Sequence, residues 1–379
     1  MPTLTAPVPA SVVTFVLGHL ERDWPDIERL AESDIEREPS RFQGGRNSWI
    51  AQGYLRLREG LERRGCRVSV ASRVPSSGIA LVHRDDANDC RVERSGAFLV
   101  VVRADRAPVL ACDLAIAQNG THLRGGERFL PLWPQPGLRP RDPQRGHRIA
   151  RLTYHGRPDR LPAWLAEPRF LAALTARGIR FDSIGTGWGD YRGTDLVLAV
   201  RDDSPAMLAT KPATKIYNAW LAGVPVLATA EPAYLEVRRS PLDFVEITSP
   251  GDVLAAIDRL KASAALYQSM IANGRAHARE FDIEAIRGRW LELFDREILP
   301  AQARRHARAG PARRAWYVGA MAAQKVLGRA FKARVGFERW RLFSPWTPSR
   351  LFEETGRSLA QGWRPPLPEA GNGPESTMR

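Results

Sequence analysis

Short apolar runs recur along the first 125 residues, separated by stretches whose apolar positions fall at helical spacing. Residues 12–17 (VVTFVL) read as a buried strand, and residues 48–64 (SWIAQGYLRLREGLERR) as an amphipathic helix that Gly65 closes. Residues 66–71 (CRVSVA) alternate, and three further apolar runs follow at Ile79–His83, 98–102 and 113–117. Strands alternating with helices predict parallel βα units in an open, doubly wound sheet. Sheets of that kind bind ligands beyond the carboxyl ends of their strands.

The pattern breaks at FLPLWPQPGLRPRDPQRGH, residues 129–147, whose five prolines fit neither a helix nor a central strand. It then restarts. Strands are predicted at 149–154, 179–184, 196–200, 224–228 and 244–247, and helices at 168–177, Pro250–Ala262 and 264–293. A further helix lies in KPATKIYNAWLAGVPVLAT (residues 211–229), with Pro212 at its first turn and Gly223 and Pro225 at its stop. The expected fold is α/β, with two Rossmann-like doubly wound domains facing a cleft. They span residues 1–128 and 149–299, with a proline-rich connector at 129–148. The halves are alike in architecture only, with no internal sequence repeat.

Charge separates a third region. Of the net +14, residues 301–379 carry fifteen Lys and Arg against five Asp and Glu, and residues 1–300 carry forty-one against thirty-seven. The overall basicity therefore belongs mainly to the tail, and no nucleic-acid motif accompanies it. Between the tail's charges lie Trp316, Val318, Met321, Val326, Leu327, Phe331, Val335, Phe337 and Trp340. Residues 300–363 thus read as a basic amphipathic helical tail with two open fates: an anionic membrane surface through residues 301–350, or packing back on the N-terminal domain. Residues 364–379 have the composition of a disordered end. Three widely spaced cysteines with no CxxC pair argue against a disulfide framework or zinc site and for a reducing compartment. The apolar run near the N-terminus has no basic leader and is too short to span a bilayer. A cytoplasmic protein, soluble or peripheral at the inner face of the membrane, is expected.

Lys211 and Lys215 flank the first turn of a helix, whose N-terminus already carries roughly half a positive charge. Cations there suit an anion bound at the same end, with phosphate the usual candidate; the plainer alternative is two solvated lysines. The run TKIYNAWLAGVPVLATAEPAY, preceded by DLVLAVRDDSPAMLATKP, resembles the donor half of GT-B glycosyltransferases, and YHGRP (residues 154–158) is similar to the turn after the first donor-domain strand. The resemblance covers about residues 149–295. It implies a nucleotide-diphosphate sugar as co-substrate, no other cofactor and no metal, with Arg157, Lys211, Thr214, Lys215 and Asn218 at the donor. It also shows a departure: many retaining members carry two glutamates eight positions apart, where this chain has Thr210 and Asn218. Retention or inversion of configuration stays open.

On the acceptor side His83 with Asp85, in VHRDDAND, is the preferred acid–base pair over His19. Gly44, Gly45, Arg46 and Asn47, in FQGGRNSW, form a loop suited to an acceptor or a phosphate. The aspartates of RDDSP (residues 201–205) read as helix-cap residues rather than metal ligands. The implied activity is transfer of a sugar to a glycan, lipid-linked or small-molecule acceptor. A non-catalytic sugar-nucleotide or glycan-binding scaffold and a sugar-nucleotide epimerase are the alternatives; nucleic acid is not an expected partner.

Overall fold

The computed structural model describes residues 11–43, 45–87, 96–121, 123, 125–156, 161–306 and 311–340. Its first sheet has six parallel strands: β1 (Val12–Val16), β2 (Arg67–Ala71), β3 (Ile79–His83), β4 (Phe98–Ala104), β5 (Leu114–Ala117) and β6 (Glu127–Phe129), in the order β2-β1-β3-β4-β5-β6. The second has five: β7 (Arg151–His155), β8 (Arg180–Ile184), β9 (Leu196–Ala199), β10 (Val226–Ala228) and β11 (Val245–Glu246), in the order β11-β10-β9-β7-β8. Every strand pairing is parallel. The two doubly wound α/β halves expected from the sequence are present.

Both sheets begin with the same winding. The second strand of each half lies outside the first, and the third, fourth and fifth run away on the other side. The order therefore reverses between β1 and β3 and again between β7 and β9. Crevices at such switch points, beyond the carboxyl ends of the strands, are where open α/β sheets hold ligands.

β3, β4 and β5 are buried along their whole lengths. That is why the sequence shows continuous apolar runs there rather than alternation, since both faces of the sheet are covered. One face carries Phe15, Leu81, Val100 and Ile116 under the Arg46–Glu62 helix, and the other Val16, Val82, Val101 and Ala115. The second sheet likewise separates Leu152, Leu198 and Leu227 on one face from Val197, Ala199 and Val226 on the other.

The stretch 264–293 is two helices, Ala264–Ala278 and Ile283–Leu293. The Asp282 side chain accepts from Ala285 N and caps the second. A π-helical turn at Phe294–Ile298 follows, and Ile286, Trp290, Phe294 and Ile298 pack into the core of the first sheet, so the chain crosses back to its first half. The connector is tied to the second half by Asp195. This fully buried carboxylate accepts from Arg141 and Arg145 at 2.8 Å and from the backbone of Ala150 and Arg151 at 2.9 Å.

Of the basic tail, the described parts are residues 300–306, within the Leu299–His306 helix, and the Pro311–Trp340 helix. Tyr317 donates to Ala111 O at 2.5 Å, and Gln324 Oε1 accepts from Leu110 N and Ala111 N at 2.9 and 3.2 Å. One face of this helix is therefore packed on the N-terminal half, covering loop carbonyl and amide groups beside β5. Residues 341–379 lie outside the described residues.

Candidate functional site: a charge cluster where the two halves meet

At the carboxyl end of β7 stand Tyr154, His155 and Gly156. Facing them is Lys215 in the first turn of the Thr214–Ala222 helix. The Lys215 ammonium lies 3.5 Å from the centroid of the Tyr154 ring. It is sealed from solvent and has no hydrogen-bond partner among the described residues. A Cβ on Gly156 would fall 2.8 Å from this Nζ and 2.9 Å from the Tyr154 ring, so only glycine permits the approach. Burial, reinforced by the Arg201 charge, holds the Lys215 pKa well below the ordinary lysine value.

Arg201 follows β9, is ion-paired with Glu231 and donates to Pro212 O at 3.2 Å. The second contact fixes the backbone leading into the helix. Burial pushes the Glu231 carboxyl up, with the Arg201 charge opposing it. Glu231 is paired with Arg201, and no carboxylate among the described residues hydrogen-bonds the Lys215 ammonium. A buried cation of this kind is costly unless an anion joins it.

Lys211 lies outside the helix. The sequence places Pro212 in the first helical turn, but the helix opens at Thr214, behind Ala213 and with no side-chain cap. The Lys211 and Pro212 carbonyls are taken instead by Asn119 Nδ2 at 2.9 Å and by Arg201. Lys211 Nζ reaches across to the N-terminal half and meets Asp105 Oδ2 at 2.6 Å. Burial alone would raise the Asp105 carboxyl; the Lys211 charge and hydrogen bond outweigh it and hold the group below its ordinary value. Asp105 also takes Arg106 at 2.9 Å, and Arg106 Nε in turn holds both oxygens of Asp85 at 3.0 Å. A chain of four alternating charges, Asp85–Arg106–Asp105–Lys211, thus runs from the end of β3 to the loop before the Thr214–Ala222 helix.

The aim of Asp105 has a local cause. The β4–β5 register shifts between Val102 and Ala104, and Ala104 has φ of 56°. Such a bulge re-aims the residue after it. His83, at the end of β3, is buried with its ring 5.6 Å from Trp49. Its Nδ1 accepts from Asp85 N at 3.2 Å, which puts the proton of the neutral ring on Nε2.

The loop before the Arg46–Glu62 helix borders a cavity of about 340 Å³ lined by His19, Trp24, Arg41, Gly45, Asn47 and Ser48. Gly45, at φ 81°, is the N-cap of that helix, and the Asn47 Oδ1 is buried without a hydrogen-bond partner among the described residues. Arg46 opens the helix; its side chain, Gly44 and Arg157 lie outside the described residues.

The structure brings Lys211, Thr214 and Lys215 together with Tyr154 and Gly156, and links His83 and Asp85 to them through Arg106 and Asp105. Asn218 is turned to the connector, its Oδ1 accepting from Gln135 N at 3.2 Å. The cap after β9 is Ser204, accepting from Met207 N, where the sequence suggests Asp202 or Asp203. Asp105, Asn119, Arg201 and Glu231 escape the sequence reading. Arg201 and Glu231 follow the ends of β9 and β10, a place that flags them; nothing local marks Asp105 or Asn119.

No family model matches the chain, and no curated protein matches it. Among solved structures it is similar to Anabaena HepE in complex with UDP and glucose, at 12% identity over 75% of this chain and 98% of that one, TM-score 0.45. It is similar to AviGT4, a glycosyltransferase involved in avilamycin A biosynthesis, at 16% identity over 76% and 98%, TM-score 0.42. A third is sucrose-phosphate synthase from Thermosynechococcus elongatus, at 13% identity over 59% and 74%, TM-score 0.43. Likeness of this degree assigns neither family nor activity.

Proposed function

We propose that the protein is a glycosyltransferase of GT-B type that takes a nucleotide-diphosphate sugar in its second half and an acceptor in its first. The observation that carries this is the buried, unpartnered ammonium of Lys215 beside Gly156, at the switch point of a parallel sheet. A diphosphate there would supply the missing negative charge, and Lys215 and Lys211 would stabilise the charge that develops on the leaving group. Arg201 would hold the entry to the helix through Pro212 O. Arg157 and Thr214 complete the proposed donor set, and Asn218 Oδ1 serves it by fixing the connector under the helix. On the acceptor side the cavity beside Gly45 and Asn47 would hold a glycan, a lipid-linked sugar or a small molecule. His83, which is buried and does not line that cavity, would serve the acceptor side with Asp85 as an Nε2–H donor. Proton removal from the acceptor would fall to a carboxylate, of which Asp105 is in contact with Lys211.

A non-catalytic scaffold is the second reading, favoured by Thr210 and Asn218 standing where many retaining relatives of the resemblance carry carboxylates. Release of nucleoside diphosphate from UDP-, GDP-, dTDP- and ADP-sugars, measured with and without a mixture of glycan and lipid-linked acceptors, separates the two. Acceptor-dependent release with one donor supports the transferase. Binding of a donor with no release under any acceptor supports the scaffold, and conversion of the donor sugar without acceptor would mark an epimerase.

A further inference from the structure

The Pro311–Trp340 helix has thirty residues, about 45 Å of rod. Its inward face repeats every seven residues: Tyr317 and Gln324 are buried, and Phe331 is half-buried. Both buried side chains bond to the backbone of Leu110 and Ala111, and the helix also packs against the Pro205–Leu208 helix, which leads into Lys211. The rod is thus tied to both halves of the molecule.

Its outward face is different. Val318, Ala322, Lys325, Val326, Arg329 and Ala333 all point to solvent. Trp316, Val318 and Val326 are 50%, 58% and 66% exposed, and they are three of the five exposed large hydrophobic residues among the described ones. By sequence, residues 311–340 hold seven Lys and Arg against one Glu. No helix among the described residues is long and apolar enough to cross a membrane.

We propose that this outward face is a docking surface for an anionic lipid bilayer, on which the helix lies in the plane of the interface. Apolar side chains too few for a protein core are enough to enter the headgroup boundary when flanking cations meet anionic lipid. A second copy of the chain is disfavoured as the occupant, because it would bring together two helices that each hold seven Lys and Arg against one Glu by sequence. Since the inward face is bonded to the body, docking would fix the orientation of the whole molecule. The proposal stands apart from the donor chemistry, and its test needs no activity.

The test is flotation of the full-length protein with vesicles of phosphatidylcholine alone or with about one third phosphatidylglycerol, beside sedimentation velocity without vesicles. The variants are Val318→Glu/Val326→Glu and Lys325→Glu/Arg329→Glu, all at exposed positions, with melting curves to confirm the fold. Expected is binding to phosphatidylglycerol vesicles that falls at least tenfold in each double variant and with added salt. Equal binding to neutral vesicles, no binding to either, or binding unaltered in both variants would overturn the proposal. The last outcome would assign the surface to residues 341–379. Concentration-dependent dimerisation lost in Val318→Glu/Val326→Glu, without vesicle binding, would assign the face to a second copy instead.

Discussion

Lys211 and Asp105 are 106 positions apart, yet their charged atoms stand 2.6 Å from each other across the junction of the two halves. The lysine that the sequence offers to a phosphate is held by a carboxylate of the opposite half. On the proposed function, donor phosphates and Asp105 would compete for one cation, and donor binding would be coupled to the Lys211–Asp105 contact between the halves.

Asp105→Asn should release Lys211. A partly exposed ion pair contributes up to about 1 kcal/mol, which corresponds to roughly a fivefold change in an equilibrium constant. Nucleoside diphosphate should bind about three to five times more tightly to this variant, by titration calorimetry, while transfer falls because the carboxylate is lost. Unchanged affinity would show that Lys211 does not serve the diphosphate.

Lys215→Met should stabilise the ligand-free protein and abolish diphosphate binding. The folded pKa of Lys215 lies well below its unfolded value of about 10.4. Between those values the unfolded chain binds the extra proton, so the wild type gains stability as pH rises. The variant should therefore melt higher than wild type at pH 7, by roughly 2–4 °C for each kcal/mol gained. The gap should close as pH approaches about 10. A gap constant with pH would mean that Lys215 is not titrating in the fold.

Diphosphate binding should itself take up a proton, because an anion beside Lys215 restores its charge. Affinity should fall as pH rises. Calorimetric titration in two buffers of different ionisation enthalpy measures the uptake, and Lys215→Met is the control.

Asp195→Ala should cost about 3–5 kcal/mol, since it leaves Arg141 and Arg145 and two backbone amides without their acceptor. Burial alone would raise the Asp195 carboxyl, but the bonds from Arg145, Ala150 and Arg141 outweigh it and hold the pKa below its ordinary value. The stabilisation is thus complete above about pH 4 and is lost as pH falls through the lowered folded pKa. Urea unfolding at pH 7 and at pH 3 should show the deficit shrinking in acid.

Ala104→Gly tests the bulge that aims Asp105. Glycine usually lowers the stability of a strand, but at φ 56° it relieves a conformation that costs an L-residue about 1 kcal/mol. The variant should melt no lower than wild type.

Much of the architecture is legible in the sequence because apolar runs mark the strands. Ile79–His83 coincides with its predicted bounds, and β4 and β5 differ from theirs by two residues or fewer at either end. The three-residue strand β6, Glu127–Phe129, is hidden by its two charged residues: Glu127 is buried against Arg103 at 3.0 Å. The start of the Thr214–Ala222 helix is misread because tertiary contacts claim the two carbonyls before it, and propensity at Pro212 has no view of Asn119 or Arg201. For the same reason the two lysines do not share a helix face. Lys215 was recognisable from its motif, but the absence of a partner, and its seat over Tyr154, depend on a fold that brings β7 under the helix. Asp105 is a strand-end residue like many others until the bulge at Ala104 turns it to Lys211.

The decisive experiment is a thermal-shift titration of UDP, GDP, dTDP and ADP on wild type and on Lys211→Ala/Lys215→Ala. A ligand at 100 times its dissociation constant stabilises the native state by about 2.7 kcal/mol, a shift of several degrees. Stabilisation of the wild type by one of the four, absent from the double variant, is expected if the site beside Gly156 receives a nucleoside diphosphate. Equal stabilisation of both proteins, or none by any nucleotide, would mean that the buried lysine serves some other purpose.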